Sequence, residues 1–133
     1  RFSRRVRKSL RAGLSRVNDV AAEADRVLVV GAGDLGQLTI RFLRSGPTAA
    51  AYQVIGAVDD DWNKLGKSIH GVSTVGLCDR ISAIVLERGI GVIVFAIHNI
   101  DSERRNQILS ECHKTAARTI VAPDLRGFLR EKT

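Results

Sequence analysis

The sequence predicts an α/β fold built on a doubly wound, five-stranded parallel sheet, preceded by a basic helical arm, and three observations carry that prediction. Short β-branched runs alternate with helical stretches of about a dozen residues, the spacing a parallel return needs because the chain must cross over the sheet. A glycine-rich turn, Gly31-Ala32-Gly33-Asp34-Leu35-Gly36, follows the first run. An acid, Asp59, ends the second, 23 residues after Gly36.

In chain order, Phe2, Val6, Leu10, Leu14, Val17 and Ala21 recur at spacings of three to four, which predicts a helix with one apolar stripe over residues 1 to about 24. We take 1–25 as a basic amphipathic arm or juxtamembrane linker and 26–133 as one α/β domain. Val27 to Val30 is a continuous apolar run ending in glycine, as suits a strand buried on both faces. The helix after the glycine turn is expected to turn Leu35, Leu38 and Phe42 inward and to stop at Gly46-Pro47. Tyr52 to Val58 reads as the second strand and Val72 to Val75 as a short third. Leu77, Ile81, Ile84 and Val85 mark a helix closed by Gly89, and Val92 to Ile97 is the fourth strand. Asp101 or Ser102 can cap a further helix whose Ile108, Cys112 and Ala116 face inward, and Thr119 to Ala122 supplies a fifth strand ended by Pro123. Right-handed crossovers then give the strand order 3-2-1-4-5, with the mouth of a site between the first and fourth strands.

Composition narrows the function classes. With 133 residues and 44% hydrophobic content the chain suffices for one core, and no apolar run approaches the roughly 20 residues of a bilayer span. The formal charge of +7 belongs to the arm, since Arg1, Arg4, Arg5, Arg7, Lys8, Arg11 and Arg16 lie in a stretch without acids. From Val17 onward basic and acidic residues cancel, which argues against a nucleic-acid partner and leaves an anionic membrane surface or a solvated linker for the arm. Cys78 and Cys112 have neither disulfide-framework nor zinc-site spacing, which favours a reducing, cytoplasmic setting. The start at Arg1 reads as a fragment of a longer protein.

The glycine turn matches G-x-G-x-x-G in the context its mechanism demands, after a buried strand and at the start of a helix. Gly31 would permit the tight turn, Gly33 the approach of a pyrophosphate, and Gly36 close packing of helix on strand, while the first helical amides face the phosphates. Ala32, Asp34 and Leu35 complete the cradle. Asp59 stands where an acid accepts hydrogen bonds from a ribose diol, and with Asp60 and Asp61 beside it a ribose phosphate meets repulsion, so NAD is favoured over its phosphorylated counterpart. The same glycines also suit a turn that binds nothing, and Asp60 and Asp61 suit a solvated turn. Asp34 brings negative charge toward the phosphates. Across the mouth, Ala96, Ile97 and His98, with Asn99, are placed to contact a base, a sugar or a ring carboxamide, although a loop histidine serves equally as a solvated residue.

No acid-base engine is evident. Tyr52 is the only tyrosine, and Gly56 stands where a helical lysine partner would be; neither a nucleophile elbow nor a phosphate-binding G-x-x-x-x-G-K-[ST] occurs.

Arg26-Val-Leu-Val-Val-Gly-Ala-Gly-Asp-Leu-Gly36, Val54-Ile-Gly-Ala-Val-Asp-Asp-Asp61, Lys64-Leu-Gly66, Ile69-His-Gly-Val72 and Val92-Ile-Val-Phe-Ala-Ile97 together resemble the N-terminal Rossmann domain of membrane-linked nucleotide-sugar dehydratases and epimerases of polysaccharide biosynthesis. That domain is often catalogued as CoA-binding-like, and the resemblance runs from about Arg26 to Asp124. It implies a regulatory or structural nucleotide-binding module, not itself catalytic, set between transmembrane helices and a separate catalytic domain. The parent is then a nucleotide-sugar 4,6-dehydratase or epimerase, homo-oligomeric and at the cytoplasmic face of the membrane. The ligand stays open among NAD, CoA and a UDP-sugar. The family often has a proline or serine where this chain has His98 and Asn99, so no ligand contact follows from the resemblance there. Two alternatives stand beside it: an NADH-sensing regulator domain, and the cytosolic module of a sugar-phosphate transferase acting on a polyprenyl phosphate.

Overall fold

The computed structural model describes residues 24–123, and the arm expected over 1–25 lies, but for its last two residues, outside the described residues. The first strand, β1 (Asp25–Val30), shows why the fold has two layers of helices. Its apolar residues are all fully buried, and because successive side chains point to opposite faces, Leu28 and Val30 enter one core while Val27 and Val29 enter another. Each fully buried valine or leucine contributes about 1.5–3 kcal/mol relative to exposure, so both faces must be covered.

One cover is α1 (Asp34–Leu43), which lays Leu35, Ile40 and Leu43 against Val27, Val29 and Val94. The expected inward set is corrected here. Phe42 is 59% exposed and Leu38 only half-buried, because the buried stripe runs through Leu35, Thr39, Ile40 and Leu43. Thr39 tolerates burial because its hydroxyl donates to the Leu35 carbonyl at 2.8 Å. A short helix, α2 (Thr48–Ala51), leads into β2 (Tyr52–Val58).

The other face is covered by α3 (Ile81–Arg88) and α4 (Ser102–His113). Ile81, Ile84, Val85, Ile108 and Cys112 close over Leu28, Val30, Ile93 and Phe95. Gly89, at φ 64°, ends α3 in the left-handed conformation that glycine adopts without strain. Ala116, expected to continue the inner face of α4, is exposed, since the helix stops at His113 and the chain turns toward the next strand.

The remaining strands are β3 (Ser68–Ile69), β4 (Val72–Gly76), β5 (Val92–Phe95) and β6 (Arg118–Val121). The sheet is Rossmann-like and mainly parallel, and it has six strands in the order β3-β4-β2-β1-β5-β6 instead of the five expected in the order 3-2-1-4-5. The additional strand is β3, which pairs antiparallel with β4 at the edge. His70 at φ 50° and Gly71 at φ 82° form the intervening two-residue turn, whose paired positive φ angles match the right-handed twist of a hairpin. A two-residue strand carries too little alternation to be seen in sequence. β5 is also shorter than expected, because Ala96 and Ile97 leave the sheet to form the wall of the glycine turn.

Candidate functional site

At the carboxyl end of β1, Gly31 takes φ 118° and donates its N–H to the Val58 carbonyl at 2.8 Å, tying the turn to the tip of β2. A Cβ on Gly31 would sit 2.5 Å from the Ala96 carbonyl oxygen and 2.8 Å from Ile97 Cγ1. A Cβ on Gly36 would collide with the Gly31 carbonyl. Both glycines are thus required by packing. Gly33 is different: its φ of −85° is open to any residue, and the nearest atom to an added Cβ is Lys64 Nζ at 3.9 Å. The outer face of the turn is therefore open at the position where a phosphate would approach.

Gly33 is also the N-cap of α1, and no side chain caps that helix. The first-turn amides carry the positive end of the helix dipole, so this terminus is suited to an anion. Asp34 projects its side chain to solvent, and Leu35 contributes its side chain to the core, leaving backbone as its offering to a ligand.

Asp59 lies at the tip of β2 and turns toward the cradle. Its Oδ2 accepts from the Ala32 amide at 2.7 Å and its Oδ1 from the Asp61 amide at 2.8 Å. Ala32 thus spends its amide on Asp59, and its side chain is buried. A carboxylate offers about four lone-pair sites, so two amides leave Asp59 capacity for a diol. Lys64, in the one-turn 3-10 helix Trp62–Lys64, places Nζ 3.9 Å from Asp59 Oδ2.

The acidic run does not act as a block. Asp61 accepts from the Asn63 amide at 3.0 Å and caps the 3-10 turn. Asp60 forms a bidentate pair with Arg104 of α4, at 2.8 and 2.7 Å, and Arg104 also donates to Gln107. The hydrogen-bonded guanidinium holds the Asp60 carboxyl below the usual carboxylate range, outweighing its partial desolvation. Burial pushes the Cys78 thiol well up, aided by the charge of Asp60, and burial pushes Cys112 up to about 11.

Ala96 and Ile97 stand against Gly31 as wall residues, and the Ala96 amide is used by the Val30 carbonyl at 2.8 Å. His98 and Asn99 are exposed beyond them. Tyr52 opens β2, about 20 Å of strand from the mouth at its other end. Among the described residues, no group of acids, histidines and cysteines could hold a metal, and no helix is long and apolar enough to cross a membrane. The structure adds Lys64, Lys67, His70 and Arg104 to the residues around the mouth. Sequence reasoning assigned none of them a role.

No family model matches the chain. It is 34% identical over 112 residues, 84% of its length, to the capsular polysaccharide biosynthesis protein CapD of Staphylococcus aureus, and spans 18% of that relative. Among solved structures, a UDP-D-quinovosamine 4-dehydrogenase from Vibrio fischeri superposes with a TM-score of 0.70 at 20% identity, covering 82% of this chain and 86% of the other. RSP, a Rex-family repressor, superposes with a TM-score of 0.60 at 13% identity over 93% of this chain and 64% of its own. RSP in complex with β-NADH gives 0.59 at 12% identity, over 93% and 65%. These likenesses establish the Rossmann-like fold, and the sequence match relates the chain to a protein of polysaccharide biosynthesis.

Proposed function

We propose that this chain is a nucleotide-binding domain, regulatory or structural in role, of a polysaccharide-biosynthesis protein of the nucleotide-sugar dehydratase or epimerase type. The observation that carries the reading is the N-terminus of α1, which has no side-chain cap and is opened by Gly33. Amides and a dipole end facing an unfilled approach are what phosphate oxygens require. Asp59, oriented by two amides at the edge of that approach, supplies an acceptor for a ribose hydroxyl.

The similarity to CapD supports the pathway, and the CoA-binding-like resemblance supports a module that binds without catalysing. NAD, a UDP-sugar and CoA are the ligands to try, and attachment at the cytoplasmic face of a membrane is part of the same proposal for the parent protein. The resemblance of the fold to a repressor solved with NADH keeps NAD(H) first in that panel.

The test is thermal. A ligand present at about a hundred times its dissociation constant adds about 2.7 kcal/mol to stability, which raises the melting temperature of a domain this size by roughly 10 °C or more. We expect at least one of NAD(H), a UDP-sugar or CoA to produce that rise. Unchanged melting with all of them would refute the reading.

A further inference from the structure

Beside the glycine turn lies a cavity of about 480 Å3. Lys64, Lys67, Ser68 and His70 line it, with Ala32 and Gln37 on the side of the turn. None of its lining residues is acidic. It is thus a cation-lined continuation of the phosphate approach, between α1 and the β3–β4 hairpin.

Its geometry links it to the turn. Lys64 Nζ stands 3.9 Å from the position of a Cβ on Gly33, so the ammonium overlooks the point where a bridging phosphate would rest. The same ammonium is 3.9 Å from Asp59 Oδ2, too long for a strong hydrogen bond. Lys67 and His70 lie farther along, carried by the hairpin whose ladder is extended by Thr74 N–H to the Lys67 carbonyl at 2.9 Å.

Two of the three acids nearby are engaged away from the cavity, and the third is countered by Lys64. Asp60 is held by Arg104 and Asp61 caps its own turn, while Asp59, on the Ala32 and Asp61 amides at the cavity's edge, has Lys64 Nζ 3.9 Å from its Oδ2. We propose that the cavity is a second phosphate subsite, and that the domain prefers nucleotides carrying a ribose phosphomonoester in addition to the phosphates at the glycine turn. This rests on the glycine turn being the nucleotide site. It reverses the preference drawn from the acidic run, because that argument counted the charges of Asp60 and Asp61 without their partners.

Two matched ligand pairs differ only by the group in question: CoA against 3′-dephospho-CoA, and NADP+ against NAD+. Calorimetric titration of the whole chain should show the phosphorylated member of at least one pair binding about tenfold tighter, since a charge-assisted contact is roughly twice as strong as a neutral one. The pair that responds identifies the source of the phosphate. Rising salt should shrink the difference. Lys67→Gln should remove it; His70→Asn, chosen because asparagine tolerates the left-handed backbone of that position, should reduce it.

Equal affinities within both pairs overturn the proposal while the glycine-turn reading stands. So does a preference that survives both substitutions, or binding of a UDP-sugar with none of the four. Binding of nothing, with the chain folded, removes the glycine-turn reading and the subsite with it.

Discussion

Two helices begin at the same, carboxyl-terminal end of the sheet, and they begin differently. α1 follows β1 and α4 follows β5, strands that pair directly, so both positive helix ends flank the crevice where the connections diverge. At α4 the N-cap Asp101 accepts from the Arg104 amide at 2.8 Å, with Glu103 in the first turn. At α1 the cap is Gly33, without any side-chain hydrogen bond. Glycine at an N-cap forgoes only a few tenths of a kcal/mol relative to a capping side chain, so stability hardly distinguishes the two arrangements. Access does. The α4 terminus is capped from within the chain, whereas no side chain caps the α1 terminus, where we propose that the phosphates bind.

The largest effect should come from the packed part of the α1 turn. Gly31→Ala forces a side chain onto φ 118° and into the Ala96 carbonyl, combining backbone strain with overpacking. We expect a loss of about 3 kcal/mol or more, and a fall of roughly 15 °C in melting temperature by circular dichroism. A melting point within a few degrees of the parent chain would show that this turn is not held as described.

The α4 terminus should respond more mildly. Asp101→Ala removes a cap and should cost about 1 kcal/mol, read as a lower urea midpoint, with nucleotide affinity unchanged. Weakened binding would mean that the two helix ends are not independent and that the comparison fails.

Smallest is the Asp60–Arg104 pair, which joins the β2 tip to α4. Its side chains are 44% and 39% exposed, so Asp60→Asn should cost about 0.5 kcal/mol at neutral pH. The folded-state carboxyl is lowered from 3.8, so the stabilisation is fully present above that value and is lost as pH falls through the lower folded one. The urea midpoints of the two proteins should therefore converge in strong acid. A gap that widened there would reverse the assigned sign.

How much of this was legible beforehand follows from length and periodicity. β1 and β5 announce themselves because burial on both faces demands unbroken apolar runs, and Asp101 and Gly89 punctuate α4 and α3 by their cap chemistry. The stripe of α1 was misjudged because Phe42 is the larger apolar residue, yet Leu43 falls on the rotation shared with Leu35 and Thr39. β3 was missed because two residues show no period, although His70-Gly71 is a left-handed pair that signals a hairpin. At the proposed site, local sequence was enough to place the glycines and Asp59 beside one another at the strand tips. It failed for Arg104, which reaches Asp60 across 44 residues, and for Lys67 and His70, which line the cavity only once the hairpin folds.

The most direct test of the open α1 terminus is Gly33→Ala. Its backbone accepts alanine, and the added methyl meets only Lys64 Nζ at 3.9 Å, so folding should be nearly unaffected. The methyl nevertheless occupies the approach to the first-turn amides. Titration of the parent and variant chains with whichever nucleotide raises the melting temperature should show affinity falling at least about tenfold, with the ligand-free melting point within roughly 3 °C. Equal affinity in the two proteins would contradict the account, because a phosphate seated on those amides cannot be indifferent to a methyl group placed over them.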